Sequence, residues 1–378
     1  MRKQKIILYL VALVCFMVCF IVLNRKYDSF YRISGINNET RQLIINNLTE
    51  EEQEYLIENS FPTKRFLRFL THPDFHLHDL EYYEKIEKQT ELSIDGVVEY
   101  TNSLLEKIRS EEIRNVDSIF QKLTDTSLAD LYLVSEDFDL ELLDLYHHFT
   151  TLNQGIDLYA VNQINALATA MSLEGMDEKE EMDFLDQWLE FYNIEDLLMY
   201  YELKQERPDL ELVANPQSLT TVILDNQTIA SYVPNPLVIT DDIARMRFGT
   251  YLRQDANAAL EEMADAVSMA IDDENLLLID GYRSYSNLDE KDWSHREYQL
   301  GLTIDVMVMG VNYSDFGTTK ISRYLQAHSW EYGFILRYGD EQSERYSANT
   351  YRFVGKEAAK VIHENKLTLE AYEGIEDE

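Results

Sequence analysis

Four shortages mark this sequence, and each excludes a class of protein. The two cysteines, Cys15 and Cys19, both fall inside one apolar run near the N-terminus. The rest of the chain can therefore build neither a disulfide framework nor a cysteine metal cluster. Six prolines and 13 glycines in 378 residues exclude collagen-like and linker-rich composition and point to regular, largely helical packing. Basic residues are scarce: 33 Lys+Arg against 69 Asp+Glu leave a formal charge of -36. Such a surface repels phosphate backbones, so no nucleic-acid partner is expected. What is present is apolar mass. Hydrophobic residues make up 45% of the chain, with 25 Tyr and 16 Phe, enough to bury the cores of two domains and to exclude a disordered acidic tail.

An uncharged stretch runs from Ile6 to Leu23, preceded by Arg2, Lys3 and Lys5 and followed by Arg25 and Lys26. As a helix it is long enough to cross a bilayer core. It exceeds a signal-peptide apolar region, and no small-x-small cleavage site follows it, so an uncleaved anchor is expected. The greater positive charge on its N-terminal side predicts a cytoplasmic tail at 1–5, a transmembrane helix at 6–23 and an extracytoplasmic remainder.

Residues 30–213 read as helices, with apolar positions three and four apart and breaks at Phe61-Pro62 and His72-Pro73-Asp74. A pattern recurs within them. The run Asp74–Tyr83 is echoed 63 residues on by Asp137–Tyr146, Asn102-x-Leu104 is answered by Asn165-x-Leu167, and Ile194–Tyr201 is a fainter third copy. Stacked helical repeats are expected, serving as a stalk or a binding surface. His76, His78, His147 and His148 lie in these copies, but no carboxylate or histidine stands at a recognised ligand spacing from them, so surface or capping roles are expected.

After Asn215-Pro216 the pattern changes to short apolar runs separated by helices, marking a second domain at 216–372. Strands are expected at 219–224, 275–279, 302–308, 333–338 and 351–354, and helices at 257–271, 319–330 and 356–364. The overall expectation is an α+β protein: a transmembrane helix, an all-α repeat region, then a small domain with a mainly antiparallel sheet.

Several blocks in this domain resemble the VanY-type D-alanyl-D-alanine carboxypeptidases, zinc peptidases that trim the stem peptide of peptidoglycan. The segments Leu219–Asp225 and Tyr232–Val238 are similar to the start of that domain, and Asp280-Gly281-Tyr282-Arg283-Ser284 to its S-G-Y-R-S motif. Gly301-Leu302-Thr303-Ile304-Asp305 resembles the end of its first zinc motif, and Tyr332–Tyr338 its Y-G-F-x-x-R-Y strand. Arg352–Ala359 with Leu367–Tyr372 resembles its closing segment, and the helical region lies outside the likeness.

Hydrolysis of that kind needs zinc on three protein ligands with one open position, and a carboxylate to take the proton of the bound water. Set on the motif S-x-H-x-x-G-x-x-x-D, the resemblance puts Tyr298 where the histidine belongs and Arg296 where the serine belongs, and keeps only the aspartate, Asp305. In the second motif, E-x-W-H, Ser347 takes the place of the catalytic glutamate and Thr350 that of the last zinc histidine. A phenol and an alcohol replace imidazoles poorly as zinc ligands, and a serine hydroxyl cannot serve as the general base. His295, beside Ser294, stands ten residues before Asp305 where the motif has seven; with His328 or His363 it could complete a relocated site. Arg283 matches an arginine that the resemblance implies anchors the substrate peptide, and its alternative is an ordinary ion pair with Asp280 or Asp305.

The expectation is thus an extracytoplasmic, membrane-anchored, VanY-like protein without zinc or hydrolysis, one that binds a peptidoglycan stem peptide or a cell-wall protein. No cofactor is expected. The alternative is a zinc D,D-carboxypeptidase with relocated ligands, and a third reading places the function in the helical region as an assembly element.

Overall fold

In the computed structural model, residues 2–111, 115–152, 155–246, 249–285, 293–339 and 346–375 are described, apart from the side chains of 2–5, 24–28, 31 and 293–295. The chain divides into two compact units, Met1–Leu158 and Tyr159–Glu378.

The first unit is helical. Its opening helix, Arg2–Tyr31, contains the Ile6–Leu23 span, with mean hydropathy 3.2 and no residue buried. Among the described residues it is the one helix long and apolar enough to cross a membrane. Shorter helices follow, and local chemistry starts them. Asn37 and Thr40 form a reciprocal capping box before Asn38–Asn47, as do Thr49 and Glu52 before Glu50–Asn59. Two bidentate pairs, Arg65 with Glu84 and Arg68 with Glu87, fasten the stretch around Thr63–Phe66 to helix Leu80–Gln89. The two longest matching runs of sequence use the same local device. The peptide N–H of His76 donates to Tyr83 Oη and that of Asp139 to Tyr146 Oη, each at 3.3 Å. Phe75 packs on Tyr83 and Phe138 on Tyr146, with ring centroids 5.4 and 4.4 Å apart. Each phenylalanine precedes a short 3-10 turn, Leu77–Asp79 or Leu140–Leu142, that runs directly into a helix.

The second unit contains helix Leu158–Leu173 from Tyr159 on, the helices Glu178–Trp188 and Ile194–Glu206, and the sheet-bearing part that follows. The start of the last of these helices is bonded to the chain around the first strands: Ser231 Oγ donates to Asp196 Oδ1 at 2.6 Å, and Tyr192 Oη, just before the helix, donates to Val213 O at 2.8 Å. Two short ladders come first, β1 (Glu211–Leu212) parallel to β2 (Gln227–Thr228) and β3 (Leu237–Ile239) antiparallel to β4 (Tyr251–Arg253). Helix Gln254–Ala270 follows. The main sheet has four antiparallel strands in the order β5 (Leu276–Asp280), β6 (Thr303–Val308), β8 (Ser347–Phe353), β7 (Phe334–Tyr338). Helix Lys320–His328 and the 3-10 turn Ser329–Tyr332 lead into β7, and Lys356–Asn365 follows β8. Central β6 is almost continuously buried, including its polar residues Thr303 and Asp305. The α+β class with an antiparallel sheet is as the sequence implies.

One expected strand is absent. Residues 219–224 form turn and coil. Their carbonyls do not join a ladder: Arg352 Nη2 donates to the oxygens of Leu219 and Thr221 at 3.3 and 3.2 Å. Thr221 Oγ1 donates to Asn215 O at 2.6 Å. A buried guanidinium takes the bonds that a neighbouring strand would have taken. In the other direction, β8 begins at Ser347 rather than at 351, which brings Ser347–Thr350 into the sheet.

Candidate functional site

The site is assembled by register. Asp280 pairs with Asp305 across β5 and β6, after an irregularity between Leu278 and Asp280, and Asp305 pairs with Thr350 across β6 and β8. Directly opposed residues share a face, so both carboxylates and the Thr350 hydroxyl emerge on one side of the sheet. Two glycines permit the surrounding chain to close in. A Cβ on Gly281 would stand 2.7 Å from Tyr251 O, while the next peptide, Tyr282 N–H, donates to that same oxygen at 2.8 Å. Gly301 has φ of +68° and gives its carbonyl to Arg253 N–H, turning the chain from the 3-10 segment Trp293–Leu300 into β6.

Around Asp305 the hydroxyls converge. Tyr298 Oη donates to Asp305 Oδ1 at 2.8 Å, and Thr350 Oγ1 donates to the same oxygen at 2.7 Å. Ser347 Oγ lies 2.8 Å from Thr350 Oγ1. Tyr298, Asp305 and Thr350 are 3%, 9% and 4% exposed, so these bonds form away from solvent. Burial, and then the Asp305 carboxylate, push the Tyr298 phenol well above its ordinary pKa. Tyr313, beside Ser347 and Thr350, is pushed up by the same two causes in the same order.

Arg283 closes the group from β5. Its Nε and Nη2 both donate to Asp280 Oδ2, at 3.1 and 2.7 Å, and its guanidinium lies 4.4 Å from the centre of the Tyr298 ring. Burial works against its charge, but Asp280 outweighs that, and its pKa is raised. Of the two pairings open to Arg283, Asp280 holds the hydrogen bonds. Five of the positions that the sequence singles out, Arg283, Tyr298, Asp305, Ser347 and Thr350, thus meet at one place, while Arg296 donates to Gln227 O. Of the relocated candidates, His328 and His363 are engaged elsewhere. His328 Nδ1 is 2.8 Å from Glu331, and His363 stacks on Trp330 with centroids 4.9 Å apart. The side chains of Ser294 and His295 lie outside the described residues.

A second set of charges supports the first. Glu297, next to Tyr298, receives both Nε and Nη2 of Arg337, and Arg337 also donates to Glu370. Arg352, completely buried in β8, places Nη1 3.9 Å from Glu297, and burial pushes its pKa down to about 10. This network was not read from the sequence. A signal was available: Arg337 and Arg352 are each flanked by large apolar or aromatic residues near the end of a strand, Phe334–Tyr338 and Ser347–Phe353, and a guanidinium buried there requires a carboxylate inside the domain. Asp280, too, stands where the VanY-type motif has serine, a visible change whose consequence for Arg283 appears only in the fold.

The donor set does not fit zinc. Among the described residues, the side chains around Asp305 include the phenols Tyr298 and Tyr313 and the alcohols Ser347 and Thr350 but no imidazole, and Tyr298 and Thr350 spend their protons on the carboxylate that would be the remaining ligand. Among the described residues no three His, Cys, Asp or Glu side chains are grouped to hold a metal ion. What the arrangement offers is a carboxylate capped by two hydroxyl donors, with one guanidinium at its side.

Comparison with known proteins points the same way for the fold. “Putative carboxypeptidase YodJ” of Bacillus subtilis is 29% identical over 192 residues, 43% of this chain and 70% of that protein. A D-alanyl-D-alanine carboxypeptidase of Enterococcus faecalis is 35% identical over 80 residues, spanning only 29% of its length. Among solved structures, the LdcB LD-carboxypeptidase is 30% identical, covering 44% of this chain and 91% of that one, with a TM-score of 0.39. VanYB in complex with D-alanine-D-alanine is 21% identical over 42% of this chain and 98% of its own, with a TM-score of 0.31. No family model matches the chain. The two sequence relatives point to a VanY-type D-alanyl-D-alanine carboxypeptidase fold over the C-terminal part, about 40% of the chain.

Proposed function

We propose that this protein is a membrane-anchored, extracytoplasmic member of the VanY-like group that binds peptidoglycan stem peptides without hydrolysing them. In this reading residues 1–5 are a cytoplasmic tail, 6–23 cross the membrane, 30–213 form a helical repeat spacer and 216–372 form the peptide-binding domain. The observation that carries it is the closed hydroxyl cluster: Tyr298 and Thr350 bond Asp305 at the positions where the resemblance calls for zinc ligands, and Ser347 stands in for the general base. Arg283 remains as a guanidinium suited to a terminal carboxylate. The relatives' names supply the substrate class, a peptide ending in D-alanine.

The test uses the full chain in detergent with added zinc and a stem peptide ending in D-Ala-D-Ala. No D-alanine release is expected, together with calorimetric binding that weakens on amidation of the peptide's C-terminus. Arg283→Ala should weaken binding about 10-fold or more, the loss expected for a charged hydrogen bond. Zinc-dependent release of D-alanine, lost in Asp305→Asn, would overturn this reading in favour of an active carboxypeptidase with relocated ligands. Neither release nor binding would overturn it in favour of a scaffold for a cell-wall protein.

A further inference from the structure

The chain leading into β3, the start of helix Gln254–Ala270 and Gln217 enclose a hollow of about 500 Å³. That is within the range of small-ligand clefts, roughly 300–1,000 Å³. The buried member of its lining is Tyr232, 6% exposed, whose ring stands edge-on to Tyr192 with centroids 5.9 Å apart. Its hydroxyl has no hydrogen-bond partner among the described residues. A buried phenol normally finds one, so this hydroxyl is left for something that enters the hollow. Burial raises its pKa, which keeps it a neutral donor. The charges in the lining are already spent on each other: Arg253 Nε and Nη2 donate to Asp255, and Nη1 donates to Gln217 O at 2.6 Å. The main chain is spent too. Arg253 N–H donates to Gly301 O, Gln254 N–H to Pro236 O, and Tyr232 O receives Gln299 Nε2. What remains is a set of side-chain amides. Gln217, Asn235 and Gln254 are exposed around the hollow, and their amides make no bond among the described residues. Each offers both a donor and an acceptor.

We propose that this hollow is a binding site for a neutral saccharide, separate from the peptide site at Arg283. Sugar hydroxyls donate and accept at once, as the three amides and the Tyr232 phenol do, and an acetamido group pairs with a side-chain amide in the same way. Pro236 and Ala258 supply the apolar surface on which the C–H face of a sugar ring rests. The ligand is neutral because Arg253 and Asp255 compensate each other, leaving no charge for an ionic group to answer. It is a sugar rather than an extended peptide because strand-like recognition needs unpaired backbone groups, and those of Tyr232, Arg253 and Gln254 are bonded within the domain. The inference stands on this lining alone and does not depend on stem-peptide binding.

The experiment titrates triacetylchitotriose, a neutral acetamido trisaccharide, into the full chain in a detergent without a sugar headgroup, and follows binding by saturation-transfer NMR. Saturable binding is expected, unchanged by Arg283→Ala. Tyr232→Phe and Gln254→Ala should each weaken it about three- to tenfold, the loss of one neutral hydrogen bond. Neither should move the melting temperature, because the Tyr232 hydroxyl makes no internal bond and Gln254 is exposed; Gln254→Ala keeps the test open should Tyr232→Phe fold poorly. Absence of saturable binding overturns the proposal, as does binding that both variants leave unaltered. Tighter binding of tetra-alanine amide, weakened by the same two variants, overturns the saccharide in favour of a neutral peptide. Trisaccharide binding in a protein that takes up no stem peptide supports this inference while overturning the reading above.

Discussion

Tyr298 ties two charged groups together: its ring carries Arg283 and its hydroxyl donates to Asp305, so a single side chain links a guanidinium to a carboxylate. Because burial and Asp305 both raise its pKa, the phenol keeps its proton throughout the neutral range and remains a donor, not an anionic ligand. Its neighbour Glu297 has the opposite task, accepting from Arg337 while lying 3.9 Å from Arg352 in the interior. Removing that carboxylate leaves two buried cations with reduced compensation. Glu297→Ala is expected to cost about 3–5 kcal/mol, the usual result of breaking a buried pair, and to appear as a marked drop in the chemical-denaturation midpoint. An unchanged midpoint would mean that Glu370 alone is sufficient partner for Arg337.

Among the elements, strand β8 is the one that sequence reasoning places least well and that matters most. Its apolar end, Tyr351–Phe353, is legible from pattern, but Ser347–Thr350 has no apolar run and reads as a loop. Pairing with β6 and β7 decides otherwise, since ladder bonds do not depend on side-chain polarity. The reverse happens at 219–224, where an apolar, β-branched run is withheld from any sheet by Arg352. Helix Ile194–Glu206 carries a testable charge effect. Burial raises the pKa of Asp196, despite the hydrogen bonds from Ser231 and from the Asn193 backbone. A carboxyl whose folded pKa exceeds its unfolded one contributes stability at low pH that is lost as pH rises through the folded value. The melting temperature should therefore fall as pH climbs from the ordinary carboxylate range toward neutrality, and Asp196→Asn should flatten that slope. An equal slope in the variant would assign the pH dependence to other groups.

For the molecule as a whole, the Ile6–Leu23 helix predicts how the protein partitions. Deleting residues 6–23 is expected to move the chain from the carbonate-washed membrane fraction to the soluble fraction. Retention in the membrane would place the attachment elsewhere. The compact units divide at Leu158 and Tyr159, inside the run of helices, so the change from helical to strand-rich sequence near Asn215-Pro216 is not where contacts are thinnest. Sequence pattern marks where periodicity changes, whereas compactness depends on which helices pack with the sheet. Here Asp196 and Tyr192 bond the last helix to residues 213 and 231.

The amino-acid order alone determined the apolar span, the helical character of the first half and the α+β class of the second, which follow from local periodicity, a property of contiguous residues; Tyr298, Asp305, Ser347, Thr350 and Arg283 are singled out only through the resemblance to the VanY-type motifs. Only the tertiary structure decided that Asp280 rather than Asp305 holds Arg283, that two hydroxyls close on one carboxylate oxygen, and that Glu297, Arg337 and Arg352 form a buried network behind them. Each of those depends on strand register and on chain segments that meet far apart in sequence, and a hydrogen bond a few ångströms long cannot be located until that register is set.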